Sequence, residues 1–192
     1  MNTIPATARD WERLWAPYDE RTYGEVMEAV QTEDVVLEIG AGDLRLSRRL
    51  AEMAQQVIAW EIQADILARK GRKLPPNLKV YHVDARQAPV PTGVTTAVLL
   101  MRHCLHFHLY ANKLHIAGCQ RLITNARWGM GVEVIDLQVP RMLYAAAPMG
   151  WYACWCGATG FRIGPVEYLT PELETAVHEV IDCPACRRPL AN

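Results

Sequence analysis

Acidic side chains stand at or near the ends of three short apolar segments that predict neighbouring β-strands. Glu38 precedes the run Gly40-Ala41-Gly42, Glu61 ends the second segment, and Asp84 closes the third. In a doubly wound sheet, ligands bind in the crevice outside the carboxyl ends of the strands. Glycines there let backbone amides and a helix N-terminus approach a ligand. Glu61 can accept both hydroxyls of a ribose and Asp84 an adenine amino group, so the pattern predicts a nucleotide site.

Each of these signals also has a simpler explanation. Gly40 and Gly42 can serve only a tight strand-to-helix turn, while Glu61 and Asp84 can be solvated strand ends. Their joint occurrence at successive strand ends favours the nucleotide site. Arg45 occupies the position at which a dinucleotide-binding enzyme has its third glycine, which disfavours a nicotinamide-dependent oxidoreductase.

Four of the six cysteines lie in two short pairs, Cys154-x-Cys156 and Cys183-x-x-Cys186. Two thiolates on one tight turn chelate a metal without a long loop, and four thiolates suit tetrahedral zinc. A closed site of this kind stabilises a fold, because it leaves no coordination position for water. Four ordinary cysteines or two redox pairs are the alternatives. The spacing predicts a structural zinc site.

The segments that position these residues alternate between strand and helix patterns. Buried strands are predicted at 35–39, 57–61, 78–83, 95–101 and 132–139. Helical spacing is predicted over 8–30 with a break at Pro17, around Leu46, Leu50 and Met53, over 63–73 and over 112–125. Because parallel strands need right-handed crossovers, this alternation predicts an α/β Rossmann-like sheet with helices on both faces.

Composition changes after Pro140, where cysteines and turn-forming residues become frequent. We therefore expect three regions. N-terminal helices over 1–33 cap a Rossmann-like nucleotide-binding domain over 34–140, and a small cysteine-rich, zinc-binding element follows over 141–192.

Composition excludes several other classes of protein. Of the 192 residues, 51% are hydrophobic and 21% charged, a balance typical of a globular chain. A formal net charge of −1 disfavours a broad basic surface for nucleic acid and leaves a local basic patch open. Apolar runs are far shorter than the roughly 20 residues that span a bilayer, so no membrane association is expected. The N-terminal segment has no signal-peptide pattern, and we expect a cytoplasmic, reducing location.

Residues 35–101 resemble the cofactor half of class I S-adenosylmethionine-dependent methyltransferases. The run Val36-Leu37-Glu38-Ile39-Gly40-Ala41-Gly42, with Glu61 and Asp84-Ala85, is similar to the rRNA adenine dimethyltransferases in particular. The resemblance implies S-adenosylmethionine as cofactor. Glu38 then organises the turn and the methionine end, Gly40 and Gly42 approach the methionine, Glu61 holds the ribose, and Asp84 with Ala85 contacts adenine. The implied cofactor-binding set is Glu38, Gly40, Ala41, Gly42, Glu61, Ile62, Asp84, Ala85 and Met101.

The segment after the fourth predicted strand departs from that family. The adenine dimethyltransferases carry an Asn-(Leu or Pro)-Pro-Tyr motif there, whereas this chain reads Leu100-Met101-Arg102-His103-Cys104-Leu105-His106-Phe107-His108. Methylation of the amino group of a flipped adenine therefore loses its main support. His103 is the first candidate for a general base, since a histidine pKa lies near neutrality. The alternatives are partly buried histidines without a catalytic role, or a metal site from Cys104, His106 and His108.

The cysteine-rich end, Tyr152 to Gly157 and Val180 to Cys186, is similar to a zinc ribbon. Together, the resemblances imply a methyltransferase that moves a methyl group from S-adenosylmethionine to an unidentified acceptor, which is RNA, a protein or a small molecule. The alternative is a non-catalytic, methyltransferase-like module that retains the cofactor site and uses the zinc element as a contact surface.

Overall fold

A computed structural model describes residues 17–68, 73–102, 104–129 and 131–186. The chain divides into two compact units, with the boundary between Gln138 and Val139. The nucleotide-binding pattern falls in the first unit, and the four paired cysteines fall in the second.

The first unit is built on a six-stranded sheet in the order β3-β2-β1-β4-β5-β6. The strands are β1 (Val35–Ile39), β2 (Gln56–Glu61), β3 (Leu78–His82), β4 (Thr96–Leu99), β5 (Arg121–Thr124) and β6 (Glu133–Asp136). The pairings among β1 to β5 are parallel, and β6 runs antiparallel to β5. The chain winds outward from β1 to β3 and returns to β4 on the other side of β1. The switch point therefore lies between β1 and β4, where doubly wound sheets bind ligands. This topology confirms the predicted Rossmann-like fold.

The described helices of this unit are α1 (Glu20–Ala29), α2 (Arg45–Met53), α3 (Ala64–Leu67) and α4 (Phe107–Ile116). The Asp19 carboxylate caps α1 by accepting a hydrogen bond of 2.8 Å from the Thr22 amide. Apolar residues at helical spacing, Leu46 and Leu50, are buried on α2 against the sheet core. Within the described residues, no helix combines the length and the hydropathy that a membrane span requires.

Two predictions for the segment that follows β4 are wrong. Residues 112–125 do not form one helix, because α4 ends at Ile116 and residues 121–124 form the buried strand β5. Gly118, at φ +79°, ends the helical segment, and the short apolar run that follows is compatible with either a helix or a strand by periodicity alone. The strand predicted at 132–139 is consequently the sixth, is shorter, and is antiparallel.

Two further predicted helices extend past the described ranges. The helix predicted at 8–30 appears as α1, and its first part lies outside the described residues. The helix predicted at 63–73 appears as the short α3, and residues 69–72 also lie outside them.

The second unit is a four-stranded sheet in the order β7-β10-β8-β9. Its elements are β7 (Met142–Leu143), β8 (Gly150–Cys154), β9 (Thr159–Arg162), the short helix α5 (Pro171–Thr175) and β10 (Val177–Ile181). Strands β8 and β9 form an antiparallel hairpin, and β10 pairs in parallel with β7 and β8. The buried cluster of this unit consists of Ala147, Cys154, Val180 and Cys183, so half of it is thiol-bearing.

Candidate cofactor site and cysteine cluster

The turn between β1 and α2 has a left-handed backbone at three positions. Gly40, Gly42 and Leu44 have φ values of +79°, +55° and +69°. Glycine adopts this region without steric cost, whereas Leu44 adopts it at some cost while its side chain is buried in the core. The amides of Gly40 and Ala41 both donate to the Trp60 carbonyl, at 2.9 and 3.0 Å. The turn is therefore fixed against the end of β2.

Glu61 ties the same turn to the segment after β2. Its carboxylate is buried and accepts hydrogen bonds from the amides of Gly42, at 2.8 Å, and Gln63, at 2.7 Å. Each carboxylate oxygen has about two acceptor positions, so one position on each oxygen remains for a ligand hydroxyl. The predicted ribose-binding residue is thus also a structural brace of the glycine turn.

Glu38 lies behind the turn and is buried in the sheet. The Ser47 hydroxyl, on α2, donates a hydrogen bond to its carboxylate. Burial raises the pKa of Glu38 from its ordinary value of 4.5 to about 8, and this effect outweighs the opposing effect of the Ser47 bond. At neutral pH, Glu38 is therefore mostly a neutral carboxylic acid that joins β1 to α2.

A cavity of about 470 Å³ opens at the carboxyl edge of the sheet. Its volume lies within the range of small-molecule sites, which is roughly 300–1,000 Å³. Five of the predicted cofactor-binding residues line it: Gly40, Ile62, Asp84, Ala85 and Met101. The other four, Glu38, Ala41, Gly42 and Glu61, are buried outside the lining and support it. A Cβ atom built on Gly40 would lie 3.5 Å from the Met101 methyl carbon, so these two residues meet at the switch point.

Sequence reasoning missed several side chains that complete the cavity. Trp60 and Gln63 flank the end of β2, Arg86 follows Asp84, and Leu105, His106 and Tyr110 belong to the start of α4 and the segment before it. The position of α4 explains why Leu105, His106 and Tyr110 were missed, because the predicted helix began five residues after the observed one. A usable signal existed in the four-residue spacing of His106 and Tyr110, whose rings make an edge contact at 6.3 Å.

Asp84 is held by its own neighbours in the chain. The Arg86 guanidinium donates to both carboxylate oxygens, at 2.9 and 2.8 Å, and the Arg86 amide and the Gln87 side chain donate at 3.0 and 3.1 Å. Mainly because of the Arg86 side chain, the pKa of Asp84 falls to about 2. Four donors fill about four acceptor positions, so an incoming amino group has to displace one of them.

The segment before α1 lies against the segment that follows β4. The Tyr18 hydroxyl accepts a hydrogen bond of 3.3 Å from the Arg102 amide, and the Arg102 guanidinium lies 5.0 Å from the centre of the Tyr18 ring. Tyr18 is fixed in turn, because its amide donates to the Tyr23 hydroxyl at 3.1 Å. These contacts bring the N-terminal segment next to Met101.

The predicted catalytic residue, His103, lies outside the described residues. His106 lines the cavity, whereas His108 is exposed on α4. Within the described part of the chain, Cys104, His106 and His108 do not come together as a metal-ligand group.

The four paired cysteines converge in the second unit. Their sulfur atoms all lie within 4.8 Å of one another. Three of the separations are 3.6 Å for Cys154 and Cys186, 3.7 Å for Cys156 and Cys183, and 3.8 Å for Cys183 and Cys186. A tetrahedral zinc ion with Zn–S bonds of about 2.3 Å requires S···S separations of about 3.8 Å. The four cysteines therefore fit one such ion.

The backbone around the cysteines forms two tight turns. The amide of Gly157, at φ +97°, donates to the Cys154 carbonyl at 2.9 Å, and the Cys186 amide donates to the Cys183 carbonyl at 3.0 Å. Burial, together with the neighbouring thiols, raises the pKa of Cys156. A nearby cation would favour the thiolate form of Cys156.

Comparisons with solved structures agree with this fold. The chain aligns with 23S rRNA methyltransferase ErmE at a TM-score of 0.50 and 24% identity, over 56% of this chain and 46% of that one. It aligns with precorrin 8w decarboxylase from Methanobacterium thermoautotrophicum at a TM-score of 0.50 and 17% identity, over 58% of this chain and 65% of that one. The chain thus spans less than two thirds of either protein. No curated protein matches the chain in sequence.

The sheet order and the cavity at its switch point define a Rossmann-like α/β protein. Residues 19–125, more than half of the chain, match the family described as ribosomal RNA adenine dimethylase. The chain belongs to this family of S-adenosylmethionine-dependent methyltransferases.

The raised pKa of Glu38 predicts how stability depends on pH. Between about pH 4.5 and pH 8 the folded protein retains a proton that the unfolded chain has released, so the free energy of unfolding falls as pH rises through this interval. Glu38→Gln removes this titration. We expect the decline to be smaller in Glu38→Gln than in the wild type when denaturant unfolding is measured across the interval.

Glu52→Gln is the matched control, because Glu52 is an exposed glutamate on the neighbouring helix α2. It should retain the wild-type dependence of stability on pH. An equally steep decline in Glu38→Gln would contradict the assignment of a raised pKa to Glu38.

Proposed function

We propose that this chain transfers a methyl group from S-adenosylmethionine to a base in RNA. The observation that carries the proposal is the cavity at the β1/β4 switch point, lined by Gly40 and Met101 at one end and Asp84 at the other. The bound donor supplies an electrophilic methyl group attached to a positively charged sulfur. Asp84 and Ala85 would hold the adenine, Glu61 and Ile62 the ribose, and the turn over 40–42 with Met101 the methionine end.

The assignment of these ends follows from charge and hydrogen-bonding capacity. Asp84 remains ionised because its pKa is about 2, so it offers only acceptor positions, as an adenine amino group requires. Glu61 has one acceptor position left on each oxygen, which suits two ribose hydroxyls. Glu38 is buried behind the turn and mostly neutral at pH 7, so it would support the methionine end by fixing the turn through its hydrogen bond with Ser47.

RNA is the proposed acceptor because the chain belongs to the ribosomal RNA adenine dimethylase family. The segment 100–108 lacks the Asn-(Leu or Pro)-Pro-Tyr motif, so the family does not identify the acceptor atom here. Methyl transfer depends mostly on alignment of the nucleophile, the methyl group and the sulfur. We propose His103, which follows Arg102 directly, as the base that removes a proton from the attacking group.

We further propose that Cys154, Cys156, Cys183 and Cys186 bind one structural zinc ion. Support comes from the sulfur separations of 3.6, 3.7 and 3.8 Å, which match a tetrahedral site. The second unit has only a small buried cluster, so the ion would also stabilise its fold. Metal binding supplies folding free energy that such a short chain does not obtain from apolar burial.

Substitutions around Asp84 should change cofactor affinity in opposite directions. Asp84→Ala removes the acceptor for the adenine amino group and should weaken binding of S-adenosylmethionine at least about tenfold, as expected for a charge-assisted hydrogen bond. Gln87→Ala frees one acceptor position on Asp84 and should leave the affinity equal to or tighter than that of the wild type. Isothermal calorimetry measures both, and NAD serves as a ligand that should not bind. Wild-type affinity in Asp84→Ala would contradict the adenine assignment.

The acceptor class is tested by incubating the chain and methyl-labelled S-adenosylmethionine with a cell extract, followed by separation of RNA, protein and small molecules. Label should enter RNA. His103→Ala should lower the rate at least about tenfold through loss of the base, whereas His108→Ala, an exposed position on α4, should not. Label in protein alone would reject RNA as the acceptor. Cofactor binding without any transfer would instead favour a non-catalytic binding module.

The zinc proposal predicts about one zinc ion per chain in protein purified under reducing conditions. Cys186→Ser should lose the metal and loosen the second unit, seen as a change in the near-ultraviolet circular dichroism of its tryptophans. Cys104→Ser, in the first unit, is the control and should keep the full metal content. Metal-free wild-type protein with a folded second unit would overturn the proposal.

A further inference from the structure

A buried amide at the carboxyl edge of the sheet has no hydrogen-bond partner among the residues that the structure describes. Asn125 is 1% exposed, and neither its side-chain oxygen nor its side-chain nitrogen is bonded. Burying a polar group without a partner costs roughly 1–3 kcal/mol, and such groups are uncommon in folded proteins. A buried amide kept at this cost is a candidate for binding a ligand.

The backbone holds Asn125 at a defined place. It directly follows β5, and the last residue of that strand, Thr124, donates from its hydroxyl to the Leu99 carbonyl at the end of β4, at 2.7 Å. The Asn125 carbonyl accepts a hydrogen bond of 3.0 Å from the Gly129 amide, which closes a turn over 125–129. We call these five residues the β5 turn.

The β5 turn also carries a fixed aromatic ring. Trp128 is half-buried, and its indole N–H donates to the Glu133 carboxylate at 3.2 Å. Glu133 is itself held by the Arg127 guanidinium, at 2.6 and 2.9 Å. The Arg127 side chain is 1% exposed and lies 5.6 Å from the centre of the Phe107 ring. The indole of Trp128 is therefore oriented by a partly buried ion pair, and the residue itself is partly exposed.

The order of the strands places the β5 turn on the side from which a methyl acceptor would approach. The cavity extends from Asp84, after β3, to Met101, after β4, so it covers the ends of β3, β2, β1 and β4. A methyl acceptor must approach from the opposite side of β4, where β5 is the next strand. Asn125 is the first residue beyond β5 at that edge.

We propose that the β5 turn binds the acceptor base, with Asn125 hydrogen-bonding its edge and Trp128 stacking on its face. An amide offers a donor beside an acceptor, which complements a base edge with the same pair, as adenine has. Stacking on an aromatic ring is how proteins hold unpaired bases in RNA. This inference rests on the proposed function, because it assigns the acceptor subsite of the same reaction.

The test measures binding of two fluorescein-labelled RNA octamers to the full chain saturated with S-adenosylhomocysteine. One octamer is all uridine and the other has a single adenosine. The wild type should bind the adenosine octamer at least about fivefold tighter, the lower limit for one bidentate contact. Asn125→Ala should abolish this preference without lowering the thermal midpoint or the affinity for S-adenosylhomocysteine. Trp128→Ala should weaken both octamers at least about fivefold, through lost stacking.

Asn77→Ala and Trp151→Ala are the matched controls. The Asn77 amide donates to the Ala51 and Ala54 carbonyls, at 2.9 and 3.1 Å, so its loss should lower the thermal midpoint and leave the adenosine preference intact. Trp151 lies in the second unit and is 37% exposed, so its loss should leave the adenosine preference of the chain intact.

Three outcomes would overturn the proposal: no adenosine preference in the wild type, a preference retained by Asn125→Ala, or octamer affinities unchanged in Trp128→Ala. A lowered thermal midpoint in Asn125→Ala with the preference retained would show that the amide is structural. Methyl transfer to RNA is measured on the same samples. An Asn125-dependent preference without transfer would overturn the enzymatic function and keep the base site. Normal transfer by Asn125→Ala would overturn the base site and keep the enzymatic function.

Discussion

The first unit depends on how the end of β2 holds the turn that follows β1. The Trp60 carbonyl accepts from the amides of Gly40 and Ala41, and the Glu61 carboxylate accepts from the amide of Gly42. These bonds require left-handed backbone at Gly40 and Gly42, which glycine adopts without a steric penalty. The turn is thereby fixed beside the cavity that Gly40, Met101 and Asp84 line.

Three carboxyl groups near this turn differ in charge and hydrogen bonding because their surroundings differ. Glu38 is buried and largely neutral, Glu61 is buried but satisfied by two backbone amides, and Asp84 is paired with Arg86 and ionised. A neutral acid, a carboxylate that accepts from two backbone amides and a partly buried anion thus lie at or behind one edge of the sheet. In the proposed complex, these different environments would let residues of the same chemical type contact different parts of one ligand.

The second unit differs from the first in having only a small buried cluster. Its buried cluster contains two cysteines among four residues, so apolar burial alone is a weak source of stability. The four sulfur atoms nevertheless converge to separations that suit one tetrahedral ion. If the proposed zinc ion binds there, its Zn–S bonds would supply the stability that a larger apolar core supplies in other domains.

Much of the fold was predictable because its signals are local. The run over 35–39 that ends at Gly40, and the apolar segment ending at Glu61, predicted β1 and β2 well, since buried parallel strands are continuous apolar runs. The cysteine spacing likewise predicted that four thiols converge. The boundary between α4 and β5 was not predictable, because the run around Leu122 suits either periodicity.

Side-chain pairings that depend on turn geometry were also beyond the sequence. The pairing of Arg86 with Asp84 and the orphaned amide of Asn125 both arise from backbone turns that no spacing rule identifies. Arg86 lines the cavity, and Asn125 lies at the end of β5, where we propose that the acceptor binds.

The most direct test of this account is a crystal structure of the chain grown with S-adenosylhomocysteine. The adenine should lie against Asp84 and Ala85, the ribose hydroxyls on Glu61, and the sulfur beside Gly40 and Met101. A structure with the nucleoside elsewhere, or with the Arg86 side chain filling the cavity and no density for the ligand, would contradict it.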